Sequence, residues 1–328
     1  MSLEIKVTPI LDSHAVDTRK FDNIPLYEGK IENEVFPPAS GSCFPGAWYR
    51  KYVSSKDDWR GIEGVVTLGE FNPDKARFNL DGRGRYMDNP SVYMGGCADL
   101  ESDCGLGYNT MYADSNTNYE HDYSTPKLGW RPFYRYIYQD ATDDHGNINR
   151  RNVNSWNISN PLATCYYYFP GDKLRFKVYS PVNDYLQFRI EVIEPTKIEK
   201  YVELRKKYNL PNNRPSDYYS PIFISKGQGY KKAEFKRVNS IDQYGNEGFN
   251  AKLTDSTVSK SVWSETYLYR EINGQLYKVP FTEQRATSLI CPSEDAITVK
   301  KINENGGEEI TLHPGVVKAK ILASQNNK

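Results

Sequence analysis

Asp88-Asn89-Pro90-Ser91-Val92-Tyr93-Met94-Gly95-Gly96-Cys97-Ala98-Asp99-Leu100-Glu101-Ser102-Asp103-Cys104-Gly105-Leu106-Gly107 packs a turn signal, a strand-like run, a glycine pair and three alternating carboxylates into one stretch. Asp88-Asn89-Pro90 reads as a turn by dipeptide type. Ser91–Met94 and Asp99–Asp103 read as strands. On an extended backbone alternate side chains share a face, so Asp99, Glu101 and Asp103 would emerge together, neighbours about 6.6 Å apart. Cys97 and Cys104 bracket them. In one extended strand their Cα atoms lie about 23 Å apart, far beyond the roughly 4.4–6.8 Å that a disulfide spans. If instead they bond, the acids sit on a closed loop and the shared face is lost. Gly95-Gly96 and Gly105 are compatible with the loop, and both readings stand at this point.

The same alternation recurs outward in both directions. Leu174, Phe176 and Val178 oppose Arg175, Lys177 and Tyr179, while Leu186, Phe188 and Ile190 oppose Gln187, Arg189 and Glu191. That period of two predicts a hairpin. Further strands are expected at Trp59–Leu68, Phe133–Tyr138, Tyr166–Phe169, Ile222–Ser225, Ala233–Val238, Phe249–Leu253, Val262–Tyr269, Gln275–Val279, Ala296–Ile302 and Glu309–Leu312. Pro170-Gly171-Asp172, Asn273-Gly274 and Asn305-Gly306-Gly307 supply hairpin turns. One segment reads as a helix, 196–208, with Thr196 as cap, Glu199 three residues on and Pro211 beyond. Many short strands with regular turns predict an all-β jelly roll or sandwich of antiparallel strands with one inserted helix. The expected division is an extension with an edge strand over 1–40, where Ile5 and Val7 alternate with polar residues. The sandwich follows over 41–320 with its helical insertion at 196–210, as one domain or two fused β-layers, and a frayed tail over 321–328.

Composition narrows the function. The 328 residues are 38% hydrophobic but 13% aromatic, with 26 Tyr against 4 Met, and mean hydropathy is -0.71. Tyrosine suits half-exposed sheet faces and flat ligand surfaces, as well as ordinary strands. Lys+Arg and Asp+Glu balance at 42 each, which argues against a nucleic-acid binder. No apolar run of about 18 residues predicts a membrane helix, and Met1-Ser2-Leu3-Glu4 lacks signal-peptide character. The 5 cysteines (Cys43, Cys97, Cys104, Cys165 and Cys291) include no CxxC pair. In an exported protein one or two disulfides and a free thiol would fit. A secreted or cell-surface protein is the expectation.

Three constellations could carry chemistry. Adjacent carboxylates of Asp99, Glu101 and Asp103 could meet the roughly 5–9.5 Å separations of glycosidase pairs. Crowding of like charge would raise one pKa. Asp99 and Asp103 could equally hold calcium, or the group could be solvated. In Trp130-Arg131-Pro132-Phe133-Tyr134-Arg135-Tyr136-Ile137-Tyr138, aromatics interleave with arginines. Phe133, Arg135 and Ile137 share one face, with Tyr134, Tyr136 and Tyr138 on the other. Such rings could stack on sugars or form core and cross-strand ladders. His121 and His145 lie in polar, loop-like surroundings and could bind metal or move protons. Zincin, hydrolase-elbow and nucleotide-loop motifs are absent from the sequence.

Asp99-Leu100-Glu101-Ser102-Asp103 in an aromatic-rich β chain resembles the concanavalin-like lectin and glucanase superfamily. Glucanases of that superfamily carry Glu-x-Asp-x-Glu or Glu-x-Asp-x-x-Glu on a concave sheet, the glutamates acting as nucleophile and acid/base. Here the acid identities are inverted. The resemblance implies a lectin-like protein that binds an oligo- or polysaccharide. Trp130, Arg131, Tyr134, Arg135 and Tyr136 would contact sugar, and Asp99, Glu101 and Asp103 would accept hydroxyl hydrogen bonds or hold calcium. The alternatives are a glycoside hydrolase using Glu101 with Asp99 or Asp103, and a structural or adhesive surface protein without a small ligand.

Overall fold

The computed structural model describes residues 8–37, 42–111, 127–142, 148–156, 165–207 and 214–326. The expectations for Ile5, Val7, His121 and His145 fall outside them. Two antiparallel sheets pack face to face. The seven-stranded sheet has the order β16 (Ala286–Cys291), β2 (Ala47–Ser54), β13 (Glu234–Gln243), β5 (Asp88–Cys97), β6 (Glu101–Met111), β7 (Lys127–Thr142), β8 (Ile148–Trp156). The eleven-stranded sheet follows β1 (Ile10–Leu11), β12 (Ile222–Ile224), β10 (Tyr185–Glu194), β9 (Lys173–Tyr179), β3 (Trp59–Thr67), β14 (Thr257–Ile272), β18 (Glu308–Leu312), β17 (Ile297–Lys301). In this sheet β11 (Tyr218–Tyr219) joins β10, while β4 (Glu70–Asn72) and β15 (Gln275–Pro280) join β14. The all-β sandwich read from the sequence is the observed architecture.

Alternation places the core. Leu174, Phe176 and Val178 pair across the β9–β10 hairpin with Val192, Ile190 and Phe188, and all but Val192 have no exposed surface. Each such side chain contributes roughly 1.5–3 kcal/mol on burial. They meet Met94, Leu106, Phe235 and Ile241 of the opposing sheet in one cluster. Trp263 on β14 fills the centre, edge-on to Phe176 at 5.9 Å, and donates its indole N–H to Asn239 Oδ1 of β13 at 2.8 Å. A buried carboxylate also ties the layers. Glu308 of β18 accepts from Arg50 Nη2 at 2.6 Å and from Arg237 Nη2 at 2.7 Å.

Several local expectations change. Asp88-Asn89-Pro90 begins β5 rather than a turn. Pro90 lies beyond the last β5–β6 pair, Ser91↔Gly107, so β6 does not need its missing N–H, while on the other side it stands opposite Ile241 of β13. Pro170-Gly171 does turn, with Asp172 N–H bonded to Phe169 O at 3.0 Å. It leads from Tyr168, bridged to Trp130 in the seven-stranded sheet, into β9 of the other layer, so it joins layers instead of hairpin partners. Phe249–Leu253 is irregular, and Tyr166–Phe169 forms only that bridge. The expected helix is α1 (Glu199–Lys207), and a second helix, α2 (Gly315–Asn326), occupies the tail expected to fray.

Candidate functional site

The opening stretch is a hairpin, which is neither of the two sequence readings. β5 ends at Cys97, residues 98–100 bend, and β6 returns from Glu101. Cys97 and Cys104 are both free thiols, and the bond forms instead between Cys43 and Cys291, with Cα atoms 5.8 Å apart. Asp99 sits in the bend and pairs with Lys231 at 2.6 Å, so the three acids do not share one face. Glu101 and Asp103 do share one, the outer face of the seven-stranded sheet.

That face is set by register. Lys236 on β13 and Asp103 on β6 both pair with Gly95 on β5 between them. A Cβ on Gly95 would lie 2.8 Å from Asp103 Oδ1 and 3.1 Å from Lys236 Cε. The glycine leaves the gap through which lysine and aspartate meet across an intervening strand, at 2.8 Å. Lys236 also bonds Glu101 Oε1. Arg135, opposite Asp103 on β7, reaches Asp103 Oδ2 at 2.8 Å and Glu101 Oε2 at 3.6 Å. Burial alone would raise the Asp103 carboxyl, but Lys236 and then Arg135 overturn that and hold it below the ordinary carboxylate range. Burial alone would lower the Lys236 ammonium, yet Asp103, Tyr93 and Glu101 hold it well above the ordinary lysine value. The Lys51 ammonium on neighbouring β2 is pulled down by burial and by Lys236.

Beside this ion cluster lies an apolar floor. Tyr93, Val238, Tyr49, Ala47 and Cys291 pack together, with Phe133 and Leu289 against them. Tyr93 and Phe133 meet edge to face at 6.1 Å. Phe44 stacks on Tyr49 at 4.0 Å and caps the end near the disulfide. Further along β13, Asp242 Oδ2 accepts from Ser240 Oγ at 2.8 Å and from Ser91 Oγ. Burial pushes this carboxyl above its ordinary value despite those hydroxyls, and Asp103 adds to the rise.

The aromatic expectations need correction. Tyr134, Tyr136 and Trp130 point into the sandwich, at 9%, 5% and 0% exposure. Tyr134 and Tyr136 stack on Phe223 of the other sheet at 5.3 and 5.8 Å, so these rings are core and offer no stacking surface. Arg131 is buried, with Nη1 donating to Tyr167 O–H at 3.2 Å. Among the five expected sugar contacts, Arg135 alone joins the cluster. The aspartates expected to hold calcium face different cations, Lys231 for Asp99, and Lys236 with Arg135 for Asp103. No group of three metal-ligating side chains occurs among the described residues.

The sequence reading missed Lys236, Tyr93, Lys51 and Asp242, and it placed Phe133 on the Arg135 face without giving it a contact. One signal was available. β13 alternates Phe235, Arg237, Asn239, Ile241 with Lys236, Val238, Ser240, Asp242, so a central strand carries polar groups on both faces.

No family model matches the chain, and no curated protein matches it. Among solved structures, Scytalido-glutamic peptidase bound to a peptide-based transition-state analogue is 7% identical, with TM-score 0.44, covering 81% of this chain and 98% of that one. The same peptidase with a transition-state analogue inhibitor gives 6% identity and TM-score 0.43 over the same shares. SCP-B, a member of the Eqolisin family of peptidases in complex with the tripeptide Ala-Ile-His, gives 7% and 0.38, again over 81% and 98%.

Proposed function

We propose that the chain is a lectin-like β-sandwich protein, secreted or on a cell surface, that binds an oligo- or polysaccharide along the outer face of its seven-stranded sheet. The observation that carries this is one face holding both kinds of group a sugar needs. Glu101, with 42% of its side chain exposed, and Arg135, with 22%, present planar hydrogen-bonding groups beside the half-buried Phe133 ring, which packs on the buried Tyr93. Carboxylate and guanidinium suit vicinal hydroxyls, and aromatic rings suit the apolar face of a pyranose. The Cys43–Cys291 bond is in keeping with an oxidising compartment. In this reading the contacts expected of Trp130, Tyr134 and Tyr136 pass to Phe133. A glycan array with the wild type and with Glu101→Gln and Phe133→Ala tests it. Retained fold with binding lost in both variants is the expected result, and a wild type silent on every glycan refutes it.

Asp242 favours a second reading, glycan hydrolysis. Asp103 is held ionised while Asp242 is pushed toward its protonated form on the same face, the split that separates base from acid in carboxylate enzymes. Release of reducing ends, abolished by Asp242→Asn or Glu101→Gln, would support it over simple binding. Binding without product would set it aside.

A further inference from the structure

On the other sheet, the structure assigns an oxyanion-binding cleft centred on Arg60 to this chain. The cleft holds about 650 Å³, within the roughly 300–1,000 Å³ of small-molecule sites. It opens between the segment carrying Arg19 and Lys20, the 180–183 turn and the β14–β15 hairpin tip.

Backbone geometry brings Arg60 there. Gly61 of β3 pairs with Tyr269 of β14, but Trp59 pairs with the very next residue, Arg270. Arg60 is therefore the extra residue of a bulge, a device that re-aims a side chain. Gly61 makes the local fit possible, since a Cβ there would stand 2.6 Å from both Val178 O and the Tyr269 ring. Trp59 keeps its place in the core under Arg270, whose guanidinium carbon lies 5.3 Å from the ring centroid. Arg60 turns instead into the cleft lining.

Charge then defines the ligand. Arg60 is half-buried, and its Nη1 is enclosed without a hydrogen-bond partner, whereas its neighbour in the bulge, Arg270, is paired with Asp57. Arg19 is paired with Asp17 at 2.6 Å, and Lys20 sits 5.1 Å from the Phe21 ring centroid. Glu271 is the single carboxylate in a lining that also offers the amides of Asn23, Asn183 and Gln275. A guanidinium nitrogen enclosed without a partner is costly, and a carboxylate or phosphate oxygen pair matches the planar fork of this half-buried arginine. The ligand is thus a small molecule bearing an oxyanion, its neutral polar portion meeting the amides. This site lies on β3, β14 and their neighbours and does not depend on the sugar face.

The test is calorimetric titration of the full chain at low ionic strength with two probes, inorganic phosphate and citrate. Saturable binding of either is expected, and which one binds distinguishes a phosphate from a carboxylate ligand. Arg60→Gln should weaken it about tenfold or more, the scale of one charge-assisted bidentate contact. Arg60→Lys, which keeps the charge but not the fork, should fall between. Lys320→Gln removes an equal charge outside the cleft, where Lys320 pairs with Asp295 at 2.7 Å, and should bind as the wild type. Without anion, Arg60→Gln should melt no lower than the wild type, because it removes a cation that has no partner; added anion should raise the melting temperature of the wild type alone. The assignment is overturned if the wild type binds neither probe saturably, if Arg60→Gln or Arg60→Lys binds as tightly as the wild type, or if Lys320→Gln weakens binding equally.

Discussion

Replacing Lys236 with methionine keeps the length and most of the apolar stem of the side chain and removes the cation that spans Gly95. Asp103, 7% exposed, would then keep only Arg135, at 2.8 Å. Removing one partner of a buried pair costs about 3–5 kcal/mol. The remaining arginine places this case near the lower end, about 3 kcal/mol. With unfolding entropy near 2.1 cal/mol/K per residue and a chain of 328 residues, the melting temperature falls by roughly 4 °C. The loss must also depend on pH. In the wild type the folded Asp103 carboxyl lies below its ordinary value. Its stabilisation is therefore complete above the unfolded value and disappears as pH falls through the folded one. In the variant, burial loses its main opponent and the carboxyl moves up, so acid neutralises the stranded charge. Lys236 is raised, so its stabilisation is complete below the unfolded lysine value and is lost only in strong alkali. The gap between the two proteins should accordingly be widest from about pH 5 to 9 and shrink toward pH 3. Urea unfolding of both at pH 3, 5 and 7 reads this directly. A gap that stays constant over that range would mean that lost packing, and not lost charge, is what the substitution measures.

Glu308→Gln should cost about 3–5 kcal/mol by stranding two buried guanidinium groups, and Arg50→Met with Arg237→Met added to Glu308→Leu should recover most of it, both read by chemical denaturation. Asp242→Asn should be close to the wild type near pH 3 and more stable than it at pH 7, because a raised carboxyl gives stability below its unfolded value that is lost as pH rises; thermal melts at the two pH values check the sign. Cys43→Ser opens a link spanning 248 residues, so at most about 5.5 kcal/mol should be lost in the chain-entropy limit. Protection of the Phe44 amide, which donates to Tyr49 O–H at 2.7 Å, should fall with it in hydrogen exchange.

The strands were legible wherever one face is apolar and the other polar. β9 and β10 alternate cleanly because the outer face of their sheet bears Arg175, Lys177, Arg189 and Glu191, joined by ion pairs such as Lys177–Glu191 at 2.8 Å. The Asn273-Gly274 turn was legible because both residues take left-handed dihedrals, φ of 52° and 77°, as a two-residue hairpin requires. The site was less legible. Period-two spacing groups side chains by face but does not say where a strand ends. The bend at 98–100 removed Asp99 from the group, although it is two residues from Glu101. Nor does spacing say which face is inward: Tyr134 and Tyr136 were correctly separated from Phe133 and Arg135, then assigned to the wrong side. Rings with polar tips suit either environment. The partner of Asp103, Lys236, is 133 positions away and arrives only by strand pairing. The second helix escaped because Gly315–Asn326 carries neither an acidic first turn nor a basic last one.

Gly95 connects these points. Glycine in a central strand weakens it, since it packs nothing and loses more entropy on ordering. Paired acids and bases placed under cover cost desolvation that apolar groups of the same size would avoid. The neighbouring part of the same face shows the cheaper solution in use: Tyr49, Val238 and Cys291 fill it, at 0–1% exposure. Stability alone thus gives no reason for a glycine that opens a channel from Lys236 to Asp103, nor for leaving Glu101 and Arg135 half open to solvent at its end. A face that must present fixed, oriented polar groups to something outside gives one. Each charge there is held by a second charge, so neither side chain has to be ordered when a ligand arrives.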